Sequence, residues 1–324
     1  MKSRIAGTGS YAPERILTNA DLERMVETSD EWIVERTGIR ERRMAAPGEA
    51  CSDLAVKAAE RALEAAGVAA ADLDMVLLAT CTGDSPLPST ACLIQHRIGA
   101  TKAAACDIGA ACCGFVYALA VGDAYVKTGM RHVLVIGAEV MSAVTNWKDR
   151  NTCILFGDGA GAVVLSATKE NRGILSSHLH SDGSLWNLIC VPGGGSRMPP
   201  TEKMLADELQ YIKMKGNETF KVAVKTLDES AREALDANGL SVKDLDVYVP
   251  HQANARILKA VASRLELPME KVVMNVDRYG NTSAASIPIA LDEAVRDGRI
   301  VKGKLVMMSA FGSGLTWATS VVRW

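Results

Sequence analysis

Cys112 is the residue of this chain whose surroundings most favour chemistry. It lies in Gly109-Ala110-Ala111-Cys112-Cys113-Gly114-Phe115, which runs directly into an apolar segment at 116–120. We expect its thiol at or beside a helix N-terminus, where first-turn N–H groups and the helix dipole favour a thiolate. The small neighbouring residues leave room for a substrate carbonyl. The pattern therefore predicts a nucleophilic cysteine.

His251 and Asn281 are the polar residues that we expect to face this thiol. His251 follows Pro250 at the end of the predicted strand 246–249, and the carboxyl end of a strand is where α/β proteins place active sites. Asn281 precedes a second helix, and an asparagine cannot titrate near neutral pH. A packed histidine and a helix N-cap are the structural alternatives for these two residues. Together with Cys112 they would supply two N–H donors to a carbonyl oxygen that gains negative charge, as when a thioester becomes an enolate.

Short aliphatic runs without polar alternation predict strands that are covered on both faces. Ala-rich helical segments lie between them, and Gly67 and Gly239 follow two of these segments as helix-ending residues. This alternation predicts an α/β protein with parallel strands. The aliphatic runs occupy residues 75–78, 132–136, 162–165, 247–249 and 304–308, and the two helical segments occupy 54–66 and 222–237.

The sequence also repeats itself. The segment 61–67 recurs at 233–239, an offset of 172 (239 − 67), and the same shift places residues 133–136 over 305–308. Chance similarity between short Ala-rich segments is the alternative explanation.

The same shift places Cys112 over Ala284, beside Asn281. We therefore expect two similar halves around a pseudo-dyad with a shared site. Residues 1–170 would carry the cysteine, and residues 171–324 would carry the histidine and the asparagine.

Composition excludes several classes of protein. With 324 residues, 48% of them hydrophobic, the chain is too apolar for disorder, and its net charge of -2 gives no global attraction to nucleic acid or acidic membranes. The eight cysteines lack the spacing of a disulfide framework, and the histidines lack metal-ligand spacing with them. No signal-peptide core and no apolar run of ~18 residues is present. We expect a soluble, cytoplasmic protein with reduced cysteines and no metal.

The residues above occur within a series of motifs that resembles β-ketoacyl-acyl-carrier-protein synthase III, of the thiolase-like superfamily. The resemblance covers essentially the whole chain, with the motifs in the family's order and rough spacing. It implies a five-layer α-β-α-β-α fold with stacked mixed sheets in two duplicated halves. The motifs are residues 30–33, 36–42, 111–112, 156–161, 216–218, 251–254, 280–283 and 311–317.

The resemblance implies a decarboxylating Claisen condensation that initiates fatty acid biosynthesis. The cysteine matching Cys112 takes an acyl group from a short acyl-CoA. Malonyl-acyl-carrier protein then loses CO2, and its carbanion attacks the acyl-enzyme to give a β-ketoacyl-carrier protein. Residues matching His251 and Asn281 hold the malonyl thioester oxygen, and the backbone N–H groups of Cys112 and Ser313 form the oxyanion hole. Both acyl compounds are substrates, so no cofactor is implied.

Ser313 and Cys113 depart from the residues that are usual at these positions in the family. Ser313 stands where glycine is usual, and a positive φ there would be strained. Cys113 is expected to pack, because one step along a helix turns a side chain by ~100°, with Cys113 as the less favoured nucleophile.

The resemblance also implies substrate-binding residues and a homodimer. Trp32 and Arg150 match a pair that sandwiches the adenine of CoA, as stacking of indole and guanidinium groups permits, although packing within a helix is the alternative for Trp32. Leu87 matches a residue that closes the acyl pocket across a dimer interface. The remaining matches are Thr28, Arg36, Thr37, Asn217 and Asn254 for CoA, and Lys221, Arg256 and Arg264 as a basic patch for the acidic carrier protein or, alternatively, a solvated face.

Other functions are weighed against this one. A degradative thiolase needs a second cysteine near the C-terminus, and none follows Cys190. A starter-specific polyketide or acyl-transfer paralogue shares all three catalytic residues and remains the alternative, whereas a non-catalytic acyl-CoA-binding paralogue would lack Cys112. The glycines at 157, 159 and 161 lack the following βα unit of a dinucleotide site, so no redox cofactor is expected.

Overall fold

Helices and strands alternate along the chain in the computed structural model, which describes residues 2–324. The strands are β1 (Lys2–Tyr11), β2 (Arg15–Thr18), β3 (Glu41–Met44), β4 (Met75–Ala79), β5 (Ala104–Ile108), β6 (His132–Val140), β7 (Asp158–Thr168), β8 (Gly173–Ser181), β9 (Ile189–Cys190), β10 (Lys213–Met214), β11 (Val247–Pro250), β12 (Leu305–Gly312) and β13 (Thr316–Arg323). The helices are α1 (Asn19–Glu23), α2 (Asp30–Thr37), α3 (Cys51–Ala66), α4 (Thr90–Arg97), α5 (Gly114–Lys127), α6 (Glu202–Ala206), α7 (Gly216–Asp236), α8 (Ala255–Arg264), α9 (Val276–Tyr279) and α10 (Ser286–Arg296).

Two sheets and three layers of helices form the body of the protein. The first sheet has the order β1-β7-β6-β4-β5, and the second has the order β8-β13-β12-β11. Helices α3 and α4 cover the outer face of the first sheet, and α7 and α8 cover the outer face of the second. Helices α5 and α10 are buried between the sheets. The five-layer α-β-α-β-α fold is thereby confirmed.

Both sheets are mixed. Strands β4, β5 and β6 are parallel, as are β11 and β12, whereas β1, β7, β8 and β13 run antiparallel to their neighbours. The apolar run 162–165 lies in β7, which α3 and α10 cover on its two faces. An apolar run reports burial on both faces and not strand direction. The prediction of parallel sheets is therefore wrong for β1, β7, β8 and β13. The mixed sheets implied by the resemblance are confirmed.

The duplication is visible in the hydrogen bonds. The 3₁₀ turns Ala70–Asp72 and Val242–Asp244 lie 172 residues apart. The Asp74 N–H donates to His132 O, however, whereas the Asp246 N–H donates to Leu305 O, an offset of 173 (305 − 132). One residue is thus inserted between α10 and β12. The single shift predicted from the sequence is wrong for this strand by one residue.

A matched pair of backbone turns leads into the two central helices. The 3₁₀ turns Ala111–Cys113 and Ser283–Ala285 precede α5 and α10, respectively. Ala111 has a φ of 45° and Ser283 a φ of 48°, a left-handed conformation that non-glycine residues rarely adopt. The two halves therefore repeat the same local strain at the same place. Such strain persists only where surrounding packing determines it.

The two halves share the buried layer of α5 and α10. The expected boundary near residue 170 falls in the connection between β7 and β8, and it stays a prediction about how the chain is divided. Among the helices of residues 2–324, none is long and apolar enough to cross a membrane.

We predict that Gly137→Ala destabilises the fold. A Cβ on Gly137 in β6 would lie 2.3 Å from Ala284 O, so the second turn would have to move. Overpacking of this kind costs about 1–3 kcal/mol in the free energy of unfolding. Urea denaturation at fixed protein concentration measures the change. Gly183→Ala is the control, because a Cβ there meets nothing within 4 Å. Equal stability of the two variants would contradict the packing argument.

Candidate active site

A cavity of about 920 Å³ lies between the two halves, and most of the predicted site residues line it. Cys112, His251, Asn281 and Ser313 do so. Trp32, Arg36, Thr37, Asn217, Asn254, Lys221 and Arg256 also line it, whereas Thr28, Leu87, Arg150 and Arg264 do not. One concave site therefore brings together the three residues that were expected to share chemistry.

The C-terminal turn holds Cys112 in place. A Cβ on Gly312 would lie 2.8 Å from Cys112 N and 3.1 Å from its Cβ, so only glycine fits this approach. The adjacent Cys113 is fully buried, and its thiol donates to Thr316 O over 3.2 Å. The two neighbouring thiols thus differ, because Cys112 lines the cavity and Cys113 belongs to the core.

The Cys112 thiol is not a resting thiolate. Burial raises the pKa of Cys112 to about 11, although hydrogen bonds from Ser283 and from its own backbone act in the opposite direction. The helix α5 begins at Gly114, two residues after the thiol. Burial therefore acts against the thiolate that the helix start was expected to favour.

His251 lies immediately after β11, as expected, and its backbone N–H donates to Ser309 O over 2.8 Å. Burial lowers the pKa of His251 to about 4, so the imidazole is neutral at pH 7. Its Nδ1 lies 2.6 Å from Ser286 Oγ, which already accepts a hydrogen bond from Gln252 N. The Ser286 hydroxyl still has its own proton to donate, and we assign this proton to the hydrogen bond with Nδ1, which sets the tautomer of His251. This tautomer carries its own proton on Nε2 and can donate it.

Asn281 is fixed by its backbone on both sides. Its N–H donates to Leu155 O over 2.8 Å, and its carbonyl accepts from Gly157 N over 3.1 Å. Its side-chain Oδ1 accepts from Ser283 N over 2.9 Å. The oxygen of the carboxamide is thereby occupied, which leaves the Nδ2 group as the donor available to a ligand.

Ser313 is not strained in the way its sequence context suggested. The φ of Ser313 is not positive. The residue of this turn that has a positive φ is Gly314, with a φ of 141°. Its hydroxyl donates to Ile189 O over 2.5 Å. Among the hydrogen bonds within residues 2–324, its backbone N–H has no assigned acceptor.

Two guanidinium groups lie against the Trp32 ring at the cavity mouth. Arg36 is 4.7 Å and Arg150 is 4.5 Å from the ring centroid, and Arg150 also donates to Glu27 O over 3.0 Å. Trp32 is held in α2, which is capped by Ser29 at its N-terminus and by Gly38, with a φ of 76°, at its C-terminus. Thr37 Oγ1 is used within this helix, because it donates to Ile33 O. Thr28 Oγ1 is buried with no hydrogen-bond partner among the described residues.

Of the remaining predicted residues, Asn254, Arg256, Asn217 and Lys221 line the cavity, whereas Arg264 and Leu87 lie outside it. Asn254 caps α8, and its Nδ2 donates to Arg36 O over 3.0 Å, which ties the two halves together beside the cavity. Arg256 lies 5.6 Å from the Phe220 ring at the mouth, near the exposed Asn217 and Lys221. Arg264 is paired with Asp228 at 3.1 Å, outside the cavity. Leu87 is 86% exposed and is not brought to the cavity of its own chain.

Sequence reasoning missed Ser283, Ser286, Glu139 and Cys81. The two serines lie inside the segment 281–286, where the sequence pattern points only to Asn281 and Ala284. Glu139 is fully buried in β6, and one charge inside an apolar strand was the available indication. Cys81 follows β4 and lines the cavity without any pattern that marks it.

Neither a metal nor a dinucleotide site emerges from the described residues. Within residues 2–324, no group of three or more His, Cys, Asp or Glu side chains could hold a metal ion. The glycines at 157–161 have a packing role instead. A Cβ on Gly161 would lie 2.7 Å from Ile289 N, so this glycine lets α10 pack closely on β7.

Comparisons with known proteins agree with the fold and the motifs. Two family models match, the 3-oxoacyl-(acyl-carrier-protein) synthase III model over residues 106–183 and its C-terminal model over residues 235–324. A β-ketoacyl-(acyl-carrier-protein) synthase III from Caldanaerobacter subterraneus subsp. tengcongensis is 55% identical over 99% of this chain and 97% of its own length.

Solved structures agree as well. The 3-oxoacyl-(acyl-carrier-protein) synthase III from Aquifex aeolicus VF5 is 46% identical with a TM-score of 0.93, covering 99% of this chain and 100% of that one. The priming β-ketosynthase from the R1128 polyketide biosynthetic pathway is 38% identical with a TM-score of 0.91, covering 99% and 96%. The chain belongs to the 3-oxoacyl-(acyl-carrier-protein) synthase III family.

Proposed function

We propose that this protein condenses a short acyl-CoA with malonyl-acyl-carrier protein, with loss of CO2, and so initiates fatty acid biosynthesis. The observation that carries the proposal is one cavity lined by Cys112, His251 and Asn281 in a chain of this family. The two substrates supply both carbon units, so the reaction needs no resident cofactor. The eight free cysteines support action in the reducing cytoplasm.

Cys112 is the proposed nucleophile. It attacks the acyl-CoA carbonyl to form a thioester and releases CoA. Cys112 lines the cavity whereas Cys113 is buried in the core, and this difference supports the assignment. The backbone N–H groups of Cys112 and Ser313 are the proposed oxyanion hole, since Gly312 brings the C-terminal turn into contact with Cys112.

His251 and Asn281 are the proposed donors to the malonyl thioester oxygen. That oxygen gains negative charge when CO2 leaves, and the carbanion then attacks the acyl group on Cys112. The neutral imidazole with its proton on Nε2, and the amide group with its oxygen already occupied, support two N–H donors at this oxygen. A donor that is already oriented costs no rearrangement when charge develops.

The mouth of the cavity is the proposed binding site for CoA. Trp32 and Arg150 would take the adenine between them, with Arg150 leaving its present contact on the ring. Arg36 and the mouth residues Asn217 and Asn254 would hold the phosphates and pantetheine. Thr28 and Thr37 are assigned to the wall of this tunnel, where Thr37 has a structural hydrogen bond of its own.

Lys221, Arg256 and Arg264 are the proposed basic patch for the acidic carrier protein. Lys221 and Arg256 lie at the cavity mouth, which supports delivery of the malonyl group there. The pairing of Arg264 with Asp228 leaves its side chain half exposed, so its contribution is the smallest of the three.

The function is tested by incubating the protein with labelled acetyl-CoA and malonyl-acyl-carrier protein and by measuring CO2 and product together. We expect both from the wild type and from Cys113→Ala, and neither from Cys112→Ser. Mass spectrometry should find the acyl group on Cys112. Acyl transfer without CO2 would favour an acyl-transfer paralogue, and an acyl group on Cys113 would contradict the assignment of the nucleophile.

Asn281→Ala should separate the two half-reactions. We expect normal acylation of Cys112 but a ~10²-fold slower decarboxylation, the usual effect of removing one oxyanion donor. Rapid-quench measurement of each half-reaction provides the comparison. Equal loss in both half-reactions would assign Asn281 a structural role instead.

A homodimer is proposed from the free edge of the first sheet. Strand β5 pairs only with β4, and its side chains are partly exposed. Unpaired strand edges associate readily with a second chain. The 86% exposure of Leu87 on the loop before α4 supports a role in the acyl pocket of a partner.

Leu87→Phe should shorten the range of primers if this dimer forms. We expect sedimentation to give about twice the chain mass of 34.5 kDa, and turnover with hexanoyl-CoA to fall relative to turnover with acetyl-CoA. A monomer with unchanged primer preference would refute both parts of the proposal, because the leucine does not reach its own cavity.

A further inference from the structure

Arg42 is a buried guanidinium that the proposed reaction does not yet use. It lies in β3, at the end of the motif 36–42, and its side chain is fully buried. Burial lowers the pKa of Arg42 to about 10, so the group keeps its charge at pH 7. None of the ion pairs formed within residues 2–324 includes it. A buried charge without an ion partner is rare and costly to desolvate, so its contacts have to offset that cost.

The guanidinium joins three separate segments of the chain by hydrogen bonds. Its Nη1 donates to Leu17 O over 3.2 Å and to Asn19 Oδ1 over 2.8 Å, and its Nη2 donates to Ile154 O over 2.7 Å. A hydrogen bond from a charged donor is roughly twice as strong as one between neutral groups. Arg42 therefore ties Ile154, which lies just before β7 in the chain, firmly to the N-terminal segment that carries β2 and α1.

The residues that follow Ile154 fix the backbone of Asn281. The Asn281 N–H donates to Leu155 O over 2.8 Å, and the Asn281 carbonyl accepts from Gly157 N over 3.1 Å. We call this pair of hydrogen bonds the Asn281 clamp. Arg42 holds the residue that directly precedes the clamp, so its guanidinium is connected to the asparagine through two short backbone steps.

The Arg42 side chain also packs beside two glycines of the clamp. A Cβ on Gly157 would lie 3.0 Å from Arg42 Cβ, and a Cβ on Gly280 would lie 3.3 Å from the same atom. Gly280 directly precedes Asn281 and has a φ of 64°, a conformation that favours glycine. The two glycines therefore let both sides of the Asn281 clamp approach Arg42 closely.

We propose that Arg42 is a positioning residue, which holds Asn281 where its Nδ2 group meets the malonyl thioester oxygen. The inference rests on the proposed function. Arg42 does not line the cavity, so it acts through the backbone of Asn281 and not on the substrate. A displacement of about 1 Å at a reacting group costs ~10²-fold in rate, so a rigid clamp matters most in the step that uses this donor. That step is the loss of CO2 from the malonyl group.

Cys112 is positioned independently of Arg42. The C-terminal turn at Gly312 packs against Cys112, and the side-chain hydrogen bonds of Arg42 within residues 2–324 do not reach the segment 109–113. Acylation of Cys112 and decarboxylation of the malonyl group should therefore respond differently to the loss of the guanidinium. A general loss of folded protein would instead reduce both half-reactions together.

Arg42→Met removes every donor but keeps much of the side-chain length. We expect acylation of Cys112 by saturating acetyl-CoA to keep its wild-type rate, and decarboxylation of malonyl-acyl-carrier protein to slow by ~10²-fold. Arg42→Lys keeps the charge and one donor group, so part of the lost rate should return. Rapid-quench measurement of each half-reaction makes the comparison. Equal losses in both half-reactions of both variants would overturn the inference.

A double-mutant cycle shows whether Arg42 acts through Asn281. Once Asn281→Ala has removed the carboxamide, adding Arg42→Met should slow decarboxylation no further, because residues that act as one unit do not have additive effects. Additive losses, which would reach ~10⁴-fold in the double variant, would overturn the inference, because independent effects multiply in rate.

Hydrogen exchange tests the clamp without any reaction. In Arg42→Lys we expect faster exchange at the N–H groups of Asn281 and Gly157, which form the clamp, and unchanged exchange in the turn 111–113. Mass spectrometry of the corresponding peptides measures both. Wild-type exchange at the two clamp amides would overturn the inference, even where Arg42→Met fails to fold. A wild type that releases no CO2 would instead refute the proposed function, whereas these amides still report on Arg42.

Asp123→Asn is the matched control. Asp123 is a buried charged residue of α5 that is hydrogen-bonded to Ser3 and Lys127 and has no hydrogen bond to the Asn281 clamp. We expect this variant to keep the wild-type ratio of the two half-reaction rates and wild-type exchange at Asn281. A selective loss of decarboxylation in this variant would overturn the inference, because any buried charge would then have the same effect as Arg42.

Discussion

Burial of the Cys112 thiol is the constraint on which the rest of the site depends. A site of low dielectric strengthens each hydrogen bond to a developing oxyanion, but the same desolvation raises the pKa of the thiol to about 11. The site therefore has to lower the cost of forming the sulfur anion by local means. Donors that are already oriented toward the cavity serve this purpose.

Serine side chains determine which donors face the cavity. Ser286 occupies Nδ1 of His251, and the backbone of Ser283 occupies Oδ1 of Asn281. Each interaction leaves the N–H of its partner as the group available to a ligand. Ser283 begins the turn before α10 and Ser286 is the first residue of that helix, so one short segment determines which atoms of the two side chains stay free. The histidine and the asparagine are thus prepared as donors before substrate arrives.

The sequence predicts the elements, and the meeting of Cys112, His251 and Asn281 in one cavity, more reliably than it predicts the electrostatics of the site. Apolar runs identified strands such as β7 because burial on both faces determines composition, but strand direction depends on connections that composition does not encode. Cys112 was correctly expected beside a helix start. The effect of burial on its pKa could not be predicted from the local sequence, because residues distant in sequence, such as Gly312, pack against Cys112. Glu139 was missed because its partners come from three separate segments.

The duplication explains why the chain has one such site and not two. Cys112, His251 and Ser286 correspond, at the offset of 172, to Ala284, Ala79 and Gly114. A Cβ on Gly114 would lie 3.0 Å from Ala79 Cβ and 3.5 Å from Ala284 Cβ, so the mirror positions pack directly against one another. Small residues fill the space at the mirror positions, whereas the larger, polar side chains of the first set line or support the wall of a cavity. Because the backbones are alike, the asymmetry of function arises from side-chain volume, and a larger residue at Gly114 would disturb the layer that also holds α10.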